Sequence, residues 1–273
     1  VSRIASTFER LRAQRRRGLI PFVMGGDPSV DATASFLLGF AGAGADVLEI
    51  GVPFSDPIAD GPVNQRAAQR ALRSNVGVRD ILSLVERVRP RVTQPIVLLT
   101  YYNPVLQYGL EAFCADAPAA GVDGVVVPDL PPEEGDPLRA AAAPRGLDTI
   151  FLAAPTSTDE RLARVAAGSR GFIYCVSLTG VTGVRTSIAG DIGALVGRLK
   201  RHTALPVCVG FGVSTPEHAR QVASVADGVI VGSAIVAIVE REGASAGATL
   251  DGFVRRLRAA LDAAADAAAA PAR

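Results

Sequence analysis

Lysine is almost missing from this chain: Lys200 is the only one among 273 residues. A Schiff-base enzyme needs a lysine at a strand end, but Lys200 lies in GRLKRH, on a polar segment that reads as an outer helix. The two histidines, His202 and His218, also fall in or after outer helical stretches, so no clustered His and carboxylate set suggests a metal site. No GxGxxG follows the first strand, which removes the usual dinucleotide fingerprint. Cys114, Cys175 and Cys208 are odd in number and form no CxxC pair, as expected of reduced structural thiols in a cytoplasmic protein. The formal net charge is only +1, so no global field recruits nucleic acid or an acidic membrane. No apolar run approaches the roughly 18 to 20 residues of a membrane span, and no signal-peptide core opens the chain. The expectation is a cytoplasmic protein with neither nucleic acid nor membrane as a partner.

What is present is alternation. Short β-branched apolar runs begin at Leu19, Asp46, Pro95, Asp123, Asp148, Gly171, Pro206 and Asp227, separated by amphipathic stretches such as VDATASFLLGFAGAG. Their near-continuous hydrophobicity marks strands buried on both faces, as in a parallel sheet covered by helices. The predicted fold is α/β, a (β/α)8 TIM barrel forming one domain over 1–273. An extra N-terminal helix within 1–17 covers the barrel bottom. Arg15, Arg16 and Arg17 read as its solvated end. An Ala-rich tail over 262–273 extends the last helix and carries no chemical signal. An open doubly wound sheet is the structural rival, which the placement of the glycines disfavours.

Glycine-rich turns follow the last three strands: TGVTG from Thr179, GFG from Gly210 and GSA from Gly232. Barrels gather function in the loops after their strands, frequently with a phosphate site after the seventh and eighth. Backbone amides at Gly183, Gly212 and Gly232, with Ser233 opening a helix, form a phosphate cradle without a lysine. Arg185 lies in the same region.

Two carboxylates occupy the stretch DVLEIGVPFSDPIADGP. Glu49 closes an apolar strand, where desolvation raises proton affinity and suits an acid or base near neutral pH. Asp60 sits in a loop stiffened by Pro53, Pro57 and Pro62, which holds it over the barrel mouth. An architectural alternative remains for each: Glu49 satisfied by backbone amides, Asp60 as ordinary Asp-Gly turn chemistry. Phe22, Leu99, Tyr101, Val126, Leu152, Tyr174 and Phe211 at other strand ends outline a pocket for a flat apolar group, whose ring N–H Asp60 would accept. With lysine, metal and redox chemistry unsupported, cofactor-free proton transfer remains: isomerisation, elimination or C–C cleavage.

LEIGVPFSDPIADGP closely resembles the signature of the tryptophan synthase alpha subunit family. PFVMGGDP, VVVPDLPPEE, SLTGVTGVR, VGFGVS and VGSAIV follow the same family's landmarks, so the likeness runs from about Leu19 to Glu240. The resemblance implies a (β/α)8 barrel that cleaves indole-3-glycerol phosphate to indole and glyceraldehyde 3-phosphate with no cofactor or metal of its own. By the same resemblance Glu49 shuttles protons to indole C3 and from the glycerol hydroxyl, and Asp60 stabilises the indolenine tautomer. The protonated ring then serves as electron sink for a retro-aldol step. Tyr174 matches a family tyrosine beside the acids, Thr182 a loop threonine that closes over Asp60, and Asp129 a strand-end aspartate nearby. The implied partner is a PLP-dependent beta subunit that receives indole in an α2β2 complex, met by loops holding Pro53, Asp56 and Gly180. Met24-Gly25 and Pro28 depart from the commonest family pattern and leave the acid pair intact. Rival readings are another phosphate-binding barrel, an inactive barrel kept as a partner of a beta subunit, and a free-standing indole-releasing lyase.

Overall fold

The computed structural model describes residues 1–176, 188–210 and 212–269, apart from the side chains at 188–191 and 264–269. The apolar runs become parallel strands. The first four are β1 (Gly18–Met24), β2 (Leu48–Gly51), β3 (Ile96–Leu99) and β4 (Gly124–Val126). Next come β5 (Asp148–Ile150) and β6 (Leu152–Ala153), then β7 (Ile173–Val176), β8 (Val207–Gly210) and β9 (Gly228–Val231). Their order across the sheet is β5-β4-β3-β2-β1-β9-β8-β7-β6. The two outermost members, β5 and β6, are one run interrupted at Phe151, and Tyr174 N–H donates to the Phe151 carbonyl at 3.2 Å across that seam. The sheet therefore closes on itself. The eight expected strands are present, the fifth in two pieces.

Helices surround the sheet. They are α1 (Arg3–Ala13), α2 (Val30–Gly42), α3 (Pro62–Arg73), α4 (Val78–Val88), α5 (Tyr102–Tyr108) and α6 (Leu110–Ala120). The second half adds α7 (Asp136–Ala142), α8 (Asp159–Gly168), α9 (Ile188–Lys200), α10 (Pro216–Ala223), α11 (Ser233–Glu242) and α12 (Gly247–Ala269). In α2 the Ser29 side chain caps the Ala32 amide, and Phe36, Leu37 and Phe40 turn a buried face to the sheet.

Helix α1 plugs the barrel. Ser2 caps it, and Ile4, Phe8 and Leu11 recur at helical spacing, so one face is apolar. That face meets the inward-pointing Ile20, Val47, Val97, Ile150, Phe172, Cys208 and Ile230. The Phe8 and Phe172 rings lie 5.9 Å apart in a tilted arrangement.

Around the plug the floor is ionic. Asp46 accepts the Leu19 amide at 3.0 Å, Asp123 the Ile96 amide at 2.8 Å, and Asp227 the Val207 amide at 2.8 Å. Each aspartate thus bonds an amide of an adjoining strand at the bottom of the barrel, and each also meets a cation. Arg258 holds Asp46 at 2.9 Å, Arg89 holds Asp123 at 3.3 Å, and Lys200 bonds Asp227. The one lysine is therefore committed to the floor. Arg16 and Arg17, expected to be only solvated, instead tie down the chain: Arg16 Nε donates to Asp262 at 2.9 Å and Arg17 Nε to the Ala223 carbonyl at 3.2 Å.

Phe8→Ala is expected to destabilise the fold by about 3–5 kcal/mol, the usual range for deleting a buried phenylalanine. Urea denaturation measures it. Turnover per folded molecule should be unchanged, because the cavity opens at the other end.

Candidate active site

Glu49 is the middle member of a row of inward-facing side chains. Strand register pairs it with Phe22 on β1 and Val97 on β3, and only 1% of it is exposed. Among the described residues, no protein group hydrogen-bonds either Glu49 carboxyl oxygen. An architectural glutamate would be satisfied by backbone amides; this one is bare. Burial first, and then the neighbouring Asp60 charge, push its carboxyl up to about 8.

Asp60 is handled differently. The loop after β2 carries it to the start of α3, where Pro62 suits the first helical turn. Tyr101 Oη donates to Asp60 Oδ2 at 3.1 Å and Asn64 Nδ2 to Oδ1 at 3.4 Å, while Gln65 Nε2 donates to the Asp60 carbonyl at 2.9 Å. Burial raises the Asp60 carboxyl, and the Tyr101 and Asn64 bonds pull it back down. Tyr101 also accepts the Ala59 amide at 3.0 Å and stacks its ring 5.3 Å from Phe54, so it pins the loop at three points. Sequence reading named Tyr101 as a pocket wall and overlooked Asn64 and Gln65. Their spacing of four and five residues from Asp60 at a helix start was the available signal.

Asp60 lines a cavity of about 100 Å³ at the barrel mouth; Glu49 is buried and not itself in the lining, but is in strand register with Phe22, which is. Phe22, Leu99, Val126, Leu152, Tyr174, Asp60 and Gly232 line the cavity, joined by Gly210 of the GFG turn and by Ala59, Gly61, Asn64, Pro128 and Val176, which sequence reading had not named. Tyr174 faces both acids: burial and then the Glu49 and Asp60 charges raise its phenol well above the usual value. A side chain at Gly210 would strike the Tyr174 hydroxyl at 2.8 Å, so only glycine leaves that side of the cavity open. Tyr101, nearly fully buried, stands behind Asp60 rather than in the wall.

Beside Gly232, Ser233 is exposed and is the first residue of α11, as expected of an anion-binding helix start. Gly212 lies on the loop after β8 with φ +67, a conformation that favours glycine. Asp129 is exposed and accepts the Tyr102 amide at 3.0 Å at the start of α5, so it supports the Tyr101 segment and does not line the cavity. Thr182, Gly183 and Phe211, with Gly180 and Arg185, lie outside the described residues. Among the described residues no group of three or more His, Cys, Asp or Glu side chains is set to hold a metal ion.

Comparison with known proteins places this geometry. The family model described as tryptophan synthase alpha chain matches residues 8–265. The tryptophan synthase alpha chain of Geobacter sulfurreducens is 50% identical over 262 residues, spanning 96% of this chain and 99% of the relative. That of Methylibium petroleiphilum is 48% identical, spanning 96% of this chain and 97% of the relative. Among solved structures, tryptophan synthase subunit alpha from Legionella pneumophila superposes with a TM-score of 0.89 at 38% identity, covering 96% of this chain and 99% of that one. A chain of Mycobacterium tuberculosis tryptophan synthase superposes with a TM-score of 0.88 at 42% identity, covering 96% and 98%. A barrel of this topology, matched by the family model and by close relatives over nearly its whole length, belongs to the tryptophan synthase alpha chain family.

Proposed function

We propose that Glu49 is the proton carrier and Asp60 the anchoring anion with which this chain performs the family's reaction, cleavage of indole-3-glycerol phosphate to indole and glyceraldehyde 3-phosphate. One observation carries the assignment of roles. Of two adjacent carboxyls, Asp60 has hydrogen-bond donors and Glu49 has none among the described residues. Environments that separate the proton affinities of paired acids divide acid from base. With its carboxyl near 8, Glu49 begins protonated at neutral pH, and Asp60 carries the charge.

The steps follow from that division. Glu49 gives its proton to indole C3, and the ring nitrogen becomes cationic with its N–H directed at Asp60. The resulting Glu49 carboxylate takes the proton from the glycerol hydroxyl adjacent to the ring. The C–C bond then breaks, its electrons return to the ring as neutral indole, and the former alcohol carbon leaves as the aldehyde. Glu49 ends protonated, as it began. The apolar walls Phe22, Leu99, Val126 and Leu152 hold the ring and exclude water, which strengthens both electrostatic contacts. Gly232, Ser233, Gly212 and Gly183 receive the phosphate through backbone amides and the α11 terminus. Thr182 and Phe211 complete the closed site in this reading.

Indole passes to the PLP-dependent beta subunit of an α2β2 enzyme. We place that contact on the loops around Pro53, Asp56 and Gly180. An exposed apolar Ile58, 82% accessible beside the site, supports it. We also read the chain as one domain over 1–273 and place it in the cytoplasm. The buried, unpaired Cys114, Cys175 and Cys208 agree with a reducing setting.

Glu49→Gln and Asp60→Asn should each lower kcat/KM by about 10² to 10⁴, measured as indole released with a chelator present. In the unaltered enzyme kcat/KM should fall as pH rises through about 8, where Glu49 loses the proton it must donate. A flat profile there would remove Glu49 from the acid role.

Stability should move in the same window. The folded chain keeps a Glu49 proton that the unfolded chain releases near 4.5, so this group's contribution is full below about 4.5 and erodes as pH rises to about 8. Glu49→Gln removes that erosion, by roughly 1.4 kcal/mol per pH unit across the window. Its melting temperature relative to the unaltered chain should therefore be higher at pH 8.5 than at pH 5. Ser233→Asp, finally, should weaken indole-3-glycerol phosphate binding while leaving indole binding intact; calorimetry with each ligand distinguishes the two.

A further inference from the structure

Helix α3 begins two residues after Asp60 and supplies Asn64 and Gln65 to hold it. One turn further along, the same helix is bound from outside by a set of ion pairs that the reaction does not use. Arg70 makes a two-bond fork on Asp27, Nε to Oδ1 and Nη2 to Oδ2, each at 2.8 Å. Asp27 lies in the loop after β1 and is 1% exposed. The third arm of Arg70, Nη1, reaches Glu240 on α11 at 3.0 Å. Arg66, one turn back on the same face, makes its own fork on Glu240 at 2.7 and 2.8 Å.

Beneath the ion pairs the two helices are in close apolar contact. Ala67 and Ala68 of α3 pack with Val236 of α11 and with Phe22, which lines the cavity. Alanines at these positions let the backbones approach, and planar guanidinium forks fix orientation as well as distance. At its other end α11 starts at Ser233, next to Gly232 in the cavity wall. The element that sets Asp60 and the element that starts at the anion site are therefore locked to one another and to β1.

We propose that Arg70, with Asp27, Glu240 and Arg66, is a positioning residue that fixes the spacing between the ring-binding acid and the phosphate-binding helix start, so that both halves of one substrate are held at once. This rests on the site assignment above. The clamp is not a pH switch. The Arg66 and Arg70 contacts hold the Glu240 carboxyl down at about 2, so Glu240 stays ionised throughout the range in which Glu49 titrates.

A spacing device has a distinctive signature: each half of the substrate binds normally, and only the joined molecule suffers. Arg70→Met should lower kcat/KM for indole-3-glycerol phosphate about 10- to 100-fold, the scale of a displacement near 1 Å, with separate binding of indole and of glycerol 3-phosphate changed by less than about threefold. Arg70→Lys, which keeps the charge but not the fork, should recover part of the loss, and the fall in kcat/KM near pH 8 should persist in every variant. Should the unpaired Asp27 prevent Arg70→Met from folding, the Asp27→Asn/Arg70→Met double variant removes both charges and is read in the same way. A kcat/KM within twofold of the unaltered chain overturns the proposal, as does a loss matched by equal loss in fragment binding. Glu49→Gln run in the same assay separates the two readings. If that variant stays active, the site assignment fails; if it is inactive while Arg70→Met is normal, only the clamp fails.

Discussion

A carboxyl group that no neighbour bonds, enclosed in apolar walls, resists ionisation, and among the described residues this barrel keeps Glu49 in that condition. Strand β2 is buried along its whole length, and the side chains in register with Glu49 on both sides are Phe22 and Val97, neither of which can donate a hydrogen bond. The nearby charge belongs to Asp60, and it adds to the penalty on a second anion. Other described acids of the barrel are satisfied: Asp60 by Tyr101 and Asn64, Asp148 by Ser2, and Asp46, Asp123 and Asp227 by strand amides and cations. The contrast between one bare acid and many satisfied ones is what gives the mouth its chemistry.

The two ends of the barrel divide the labour. At the floor, charges are paired and the plug helix fills the interior, so that end contributes closure. At the mouth, side chains thin out to leave space, with Gly210 and Gly232 in the wall. Rigidity has to be imported there from outside the sheet, through Tyr101 on the Asp60 loop and through the guanidinium forks of α3 on Asp27 and Glu240. A precise site on loops needs such support, since loops alone hold side chains loosely.

The sequence made the strands legible because both faces are buried, so each appears as an unbroken apolar run; Glu49 stands out as a carboxylate at the end of one. Ser233 was legible as a helix start from the glycine before it. Asp60 was less so, since Asp-Gly is common turn chemistry, and only its proline-flanked loop and the family signature raised it. The donor role of Tyr101 was hidden, because an aromatic residue at a strand end looks the same whether it lines a pocket or stands behind one. Asp27 gave no signal of its own, because its burial against Arg70 depends on two segments far apart in the chain. Long-range charge pairs such as Arg16 with Asp262 leave no local periodicity to read.

The floor has a consequence for how the chain can be divided. Asp46, two residues before β2, takes its cation from Arg258 in the last helix, and Arg16 from the first segment grips Asp262 a turn further along. A barrel cut before α12 would retain Asp46 and its strand amide but lose the cation in direct contact with that buried anion, leaving only the more distant Arg16 and Arg10. Asp123 and Asp227 find their cations within the barrel itself, at Arg89 and Lys200, so it is Asp46 alone whose closest partner waits for the last helix.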